Sequence, residues 1–380
     1  MNFVLAVTAQ LAVYLIITIS LNIEYGYAGI PHFGKVLAVA GGAFLAGFLP
    51  GRVGILLLKL FPHGDIVNIV CGQEEAGSLK ILTSLDEALG QYIPCNNAVI
   101  DWLGGVIASN IGFALLLIII TLVSSGLLGG FLGFITSYPG IRLRGDYLAM
   151  VLLAMGEMLR IIGLNYEPLV GGTLGISVPN LYAWAGGELR FVVATVFIIL
   201  IAAGVYFYAE LLVRSPLGRL LRAMRDNEVT AESLGKDVAG LRMRTLVVGS
   251  AIASLGGTLY ALYTGGVIAT TYSRVSWTFW PWVMVILGGT ANNVGTLAGT
   301  SAFVVFRQLI IFYKDRLAGF VPFNIVWLDT LILGAVLLVI LLQRPEGIIP
   351  EKPTFTLRRE KLLSIIGGDV KKGVGKEEDS

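Results

Sequence analysis

The chain has 380 residues, of which 56% are hydrophobic and only 14% charged, with a formal net charge of +2; its mean hydropathy is +0.80. A soluble domain carries roughly 25% charged residues, so composition excludes a soluble globular fold and points to a multi-pass membrane protein. The small net charge gives no sign of a nucleic-acid partner, and Lys and Arg are informative through their placement in loops.

In chain order, nine apolar stretches read as spans, near 3–21, 35–49, 100–123, 147–163, 191–213, 245–266, 277–289, 295–313 and 324–342. Each is judged against the roughly 20 apolar residues a full crossing needs. The expectation is an all-α polytopic membrane protein of about nine transmembrane helices, within a range of eight to ten. A transmembrane body over 1–350 is followed by a charged tail over 351–380. The first stretch has no basic n-region and no small-residue cleavage site, so it reads as a span and not a signal peptide. The stretches at 35–49 and 277–289 are short for complete crossings. Arg52 to Phe61, just beyond the first of them, reads as an interfacial or re-entrant piece. The 48 glycines permit close helix approach and local breaks.

Basic loops orient the chain. Arg142 and Arg144, the segment Arg214–Arg244 with seven Lys/Arg against four acids, and the tail from Arg344 all read as cytoplasmic. Alternating spans satisfy all three and place the N-terminus and the 62–98 loop outside the plasma membrane. That loop is acidic and holds both cysteines, Cys71 and Cys95. An oxidising exterior permits a disulfide between them; two free thiols are the other reading. Trp277, Trp280 and Trp282 suit an aromatic belt at the outer interface. The tail mixes charges of both signs and reads as mostly disordered.

The sequence offers no enzymatic constellation. Near Gly375-Lys376 the phosphate-cradling pattern fails, because Val370 stands where its first Gly belongs and Glu377 where Ser or Thr belongs. Gly288 to Gly295 lacks the Lys and reads as an inter-helix turn. His32 and His63 have no ligand-spaced Cys or carboxylate beside them, so neither a metal nor a cofactor is expected, and His32 reads as a packed residue. Charges inside spans are expensive unless paired. Glu157 and Arg160, three apart on one helix, can pair, and Arg307 and Asp329 lie at similar depths in neighbouring spans. Structural ion pairs are favoured over substrate ligands for both.

Arg214–Arg244 is a polar island between two apolar segments. Pro216 can begin a helix in which Leu217, Leu220, Leu221 and Met224 form an apolar stripe, with Arg219, Arg222 and Arg225 off it. A second short helix from Glu228 to Leu234 ends at Gly235, a residue suited to a C-cap. Such a pair could insert into a cleft on another protein or lie on the anionic surface of the lipid bilayer.

Six blocks carry a resemblance. They are GYAGIPHFG at Gly26–Gly34, RLRGDYLAMVLLAMGEMLR at Arg142–Arg160, the run from Asn165 to Pro179 ending GGTLGISVP, RSPLGRLLRAMRDNEVTAESLG at Arg214–Gly235, ILGGTANNVGTLAG at Ile286–Gly299 and RPEGIIP at Arg344–Pro350. In this order they resemble the branched-chain amino acid ABC transporter permease family. The resemblance implies an importer in which a pair of permease subunits forms the channel, an external solute-binding protein delivers substrate, and two cytoplasmic ATPase subunits drive the switch. It implies that Arg214–Gly235 is the ATPase coupling loop, with Arg222, Ala223, Arg225, Asn227, Glu228, Ala231, Glu232 and Gly235 as its docking segment. Gly26, Tyr27, Gly29, Gly171, Gly172, Thr173 and Gly175 are candidates for the translocation pathway, where small residues and exposed backbone can meet a zwitterion. Related permeases serve urea, short amides and other small solutes. An ion-coupled secondary transporter would need midplane charges, and a membrane scaffold without transport is a third possibility.

Overall fold

The computed structural model describes residues 2–60, 69–71, 80–143, 145–317 and 347–351, together with the helical residues Leu331, Gly334, Ala335, Leu338, Val339 and Leu342. The expected span at 324–342 falls mostly outside them, as do Arg144, Asp329 and the tail from Lys352. The chain divides into Met1–Pro350 and Glu351–Ser380.

Helix α1 (Asn2–Leu21) ends in a π-helical turn, Asn22–Tyr27, and is followed by α2 (Lys35–Leu60). A small hairpin of β1 (Ile69–Cys71) and β2 (Lys80–Leu82) leads through α3 (Leu85–Gly90) to α4 (Asn96–Ser109), α5 (Ile111–Arg142) and α6 (Gly145–Asn165). The short α7 (Glu167–Val170) and β3 (Ile176–Ser177) precede α8 (Leu189–Arg214), α9 (Pro216–Asp226), α10 (Glu228–Ser233) and α11 (Val238–Thr264). β4 (Gly266–Val267) pairs antiparallel with β3, and a second π-helical turn, Val275–Phe279, feeds α12 (Trp280–Gly288) and α13 (Asn293–Leu317). Among the described residues seven helices are long and apolar enough to cross a membrane, and Val275–Gly288 is a shorter apolar helix. The fold is all-α and polytopic.

Two boundaries differ from the hydropathy reading. Arg52 onward is not a separate re-entrant piece but the last turns of α2, which runs straight through Pro50. A proline inside a membrane helix is tolerated when neighbours satisfy the freed backbone. The stretch at 100–123 is two helices, broken where Asn110 adopts an extended conformation, and α5 continues through a glycine-rich segment to Arg142. Those glycines lower hydropathy without ending the helix, because packing against α11 holds it.

That packing is the core of the molecule. In α11, 72% of the most apolar window is buried, against 22% in α6. Gly129 and Gly133 of α5 lie directly against Ser250, Ser254 and Leu246 of α11, and Gly42 of α2 lies against the Ser254 carbonyl. Lipid tails are as apolar as leucine, so membrane helices are held by close contact between small residues and by hydrogen bonds across the seam. Here Thr258 donates to the Gly42 carbonyl (2.9 Å) and its Oγ1 lies 2.6 Å from Ser125 Oγ, and Ser254 Oγ donates to the Ser125 carbonyl (2.8 Å). The opposite face of α5 exposes Leu115, Leu116, Ile119, Val123, Leu127 and Phe131, an apolar surface suited to lipid.

Candidate functional site

At one end of the bundle α9 and α10 form the polar corner read from Arg214–Gly235. Ser215 caps α9 by accepting from the Gly218 N–H, Pro216 fills the first helical position, and Asn227 caps α10 by accepting from the Thr230 N–H (3.0 Å). Gly235 closes α10 with φ +75°, a left-handed conformation that a side chain would strain. Leu221, Met224 and Ala231 are buried with Val238 and Leu241 of α11, Tyr27, Ala28 and Ile30. Leu217, expected in the buried stripe, is exposed.

The expected docking residues of this corner divide into two sets. Arg222 donates to the Val213 carbonyl (2.9 Å), and Arg225 donates to the Gly26 carbonyl (2.6 Å) while its stem packs against Gly29. Glu228 is half-buried and pairs with Arg242 of α11 (2.8 Å). These three face the body of the protein. Ala223, Asn227, Glu232 and Gly235 are exposed, beside the apolar side chains of Val229 and Leu234.

Beneath α9 lies the π-helical turn, held by a polar network. Asn22 accepts from the Ala291 N–H (2.9 Å) and donates to Asn293 Oδ1 (3.2 Å), which also accepts from the Tyr27 hydroxyl (3.3 Å). Asn293 in turn donates to Glu210 of α8 (3.0 Å). The turn before α13 carries Ala291 at φ +58°, and residues 348–349 lie across it, with the Ile348 N–H bonded to the Leu287 carbonyl (2.9 Å). In the same turn, Glu24 is fully buried. Its Oε2 accepts from Lys35 Nζ at 2.7 Å and lies 2.9 Å from His32 Nδ1, and both partners are themselves buried.

The far end of the bundle holds the second predicted set. Gly171, Gly172 and Gly175 all have positive φ, and Thr173 between them is exposed. Ser177 beyond them is gripped by Asn96 and Asn97, each accepting at 2.7 Å, from its N–H and hydroxyl respectively. Cys71 and Cys95 form a disulfide beside this point, and a cavity of about 540 Å³ opens between Cys95, Asn96, Asn97, Ile176 and Ile268. Burial pushes the phenol of nearby Tyr92 up to about 12, so it stays neutral at ordinary pH. Gly26, Tyr27 and Gly29 are not brought together with the Gly171–Gly175 set. The first group packs near the start of α11 and the second just past its end, and those 27 residues span about 40 Å.

Glu157 and Arg160 pair within α6, with Arg160 Nε donating at 2.9 Å. Arg307 lies over the Trp280 ring at 4.0 Å; its expected partner Asp329 is outside the described residues. Among the described residues no group of three His, Cys, Asp or Glu could hold a metal. Sequence reasoning missed Glu24 and Lys35. The available signal was a carboxylate and an ammonium at the inner edges of two consecutive apolar runs, each needing a partner.

The model of the family described as branched-chain amino acid transport system / permease component matches residues 3–341. A probable branched-chain amino acid transport permease protein LivM of Methanocaldococcus jannaschii is 37% identical over 357 residues, covering 93% of this chain and 95% of that protein. The high-affinity branched-chain amino acid transport system permease protein LivM of Escherichia coli is 28% identical over 250 residues, 60% of this chain and 56% of its own length. The LivM of Salmonella typhimurium matches to the same extent, 28% over 250 residues. No solved structure matches.

Proposed function

This chain belongs to the branched-chain amino acid transport permease family, and on that premise we propose that it is the membrane-spanning subunit of an ABC importer for branched-chain or other apolar amino acids. An external solute-binding protein delivers the substrate, a second permease subunit completes the channel, and two separate cytoplasmic ATPase subunits supply the energy. The α9–α10 corner and the C-terminus then lie in the cytoplasm of a plasma-membrane protein, and the N-terminus and disulfide end lie outside.

The observation that carries this reading is the division of the α9–α10 corner. Its exposed rim of Ala223, Asn227, Glu232 and Gly235 offers a docking surface. Its inner face, through Arg222, Arg225, Glu228 and Ala231, is bonded or packed to the body. A rigid corner joined to the first span can pass ATPase closure to the helices. Arg222 and Arg225 reach inward and only Arg219 of the α9 arginines is exposed, which weighs against a lipid-lying amphipathic helix, whose arginines would point outward to headgroups. Gly171, Gly172, Thr173 and Gly175 form the outer part of the pathway, and Gly26, Tyr27 and Gly29 close its inner end beneath α9.

Affinity purification of the tagged chain from its own membranes is expected to bring down a P-loop ATPase. Glu232→Arg should remove that ATPase while the permease itself still folds, and retention of the ATPase by the variant overturns the docking assignment. In the reconstituted complex, Gly171→Leu or Gly172→Leu should cut leucine uptake at least tenfold; unchanged uptake removes these residues from the pathway.

A further inference from the structure

Three helices meet at Glu24, and they are held to it in unequal ways. The carboxylate sits in the π-helical turn that ends α1, and its Oε2 takes both donors, Lys35 Nζ of α2 at 2.7 Å and His32 Nδ1 of the connecting turn at 2.9 Å. Among the described residues its Oε1 has no hydrogen-bond partner, and it lies against Gly249 of α11, where any Cβ would strike it. So the π-helical turn that ends α1 is tied to the head of α2 by charge, and at this point α11 contributes only packing; farther along, α2 is hydrogen-bonded to α11 through Thr258 and the Gly42 carbonyl. Two residues along the same turn, the Gly26 carbonyl receives Arg225 of α9 at 2.6 Å.

A buried ion pair is poor evidence of a stabilising role, because apolar residues of similar volume often serve stability as well or better. What the pair supplies that apolar residues do not is a directional tie between two chosen helices. We infer that Glu24, held by Lys35 and His32, is a positioning residue that makes the end of α1 and the head of α2 shift together when Arg225 pulls on Gly26. The inference rests on the ATP-driven permease reading above. Gly249 leaves room for the carboxylate, and single π-helical turns inside helices frequently mark functional sites.

The test uses the full complex of permeases, ATPases and binding protein in proteoliposomes, with leucine as the probe and ATP hydrolysed per leucine imported as the readout. Glu24→Gln/Lys35→Met removes both charges at nearly constant volume. The expected result is an assembled complex that hydrolyses ATP but imports leucine at least tenfold more slowly, raising the ratio at least fivefold. Lys35→Arg, which keeps the charge, should return the ratio to within about twofold of wild type. A double variant with the wild-type ratio overturns the inference. If the double variant does not assemble, Gly249→Ala decides: its Cβ displaces the carboxylate, so a raised ratio supports the tie and an unchanged ratio overturns it. Absence of ATP-dependent leucine uptake by the wild-type complex would instead overturn the permease reading itself.

Discussion

Glu24 and Lys35 are separated by a turn and are completely enclosed where they meet. Removing one partner of a buried pair strands the other charge at a cost of about 3–5 kcal/mol, whereas removing both is often neutral. Glu24→Gln alone should therefore lower thermal stability in detergent sharply, and adding Lys35→Met should recover most of the loss; equal stability of the single and double variants would contradict the pairing. The Glu157–Arg160 pair was legible because a spacing of three on one helix puts two side chains together. Glu24 and Lys35 were not legible as partners, since their contact is made by the path of the turn between two helices. Arg222 and Arg225 teach the same point. They lie off the apolar stripe as surface arginines would, yet both reach inward to carbonyls at helix ends, where the helix's own ladder leaves acceptors open.

At the scale of elements, hydropathy located the apolar helices but misplaced their joints. The α5 helix reads as ending near 123 because Ser and Gly dilute its apolar character; it continues because Gly129 and Gly133 let it lie flush on α11. The glycines of α5 are accordingly unequal. A Cβ at Gly129 would run into Ser254 and the Ser250 carbonyl, while one at Gly126 would meet nothing. Gly129→Ala should destabilise the protein by about 1–3 kcal/mol through overpacking. Gly126→Ala should be neutral or slightly stabilising, since alanine is the better helix former. Thermal unfolding in detergent followed by circular dichroism separates the two, and equal midpoints would remove the α5–α11 seam from its central place. The disulfide end follows a different logic, in which Cys71, Cys95 and the Asn96–Ser177 and Asn97–Ser177 bonds tie residues far apart in sequence into one small cap.

For the whole molecule, the proposed sidedness has a direct check. A cysteine placed at Asn97 should react with a membrane-impermeant maleimide in intact cells, and one placed at Ser233 only after lysis; both positions are exposed. Cys71 and Cys95 should stay silent until reduced, because they are bonded to each other. Labelling at position 233 in intact cells would invert the orientation. Composition and helical spacing establish a multi-pass helical membrane protein and locate the segment that forms its polar corner. Both are set by local quantities, hydropathy over a span and the spacing of apolar residues on one helix. The tertiary structure alone decided which arginines turn inward, which glycines are irreplaceable and that a buried carboxylate joins the first two helices beneath the corner. Those features depend on distances between elements remote in sequence.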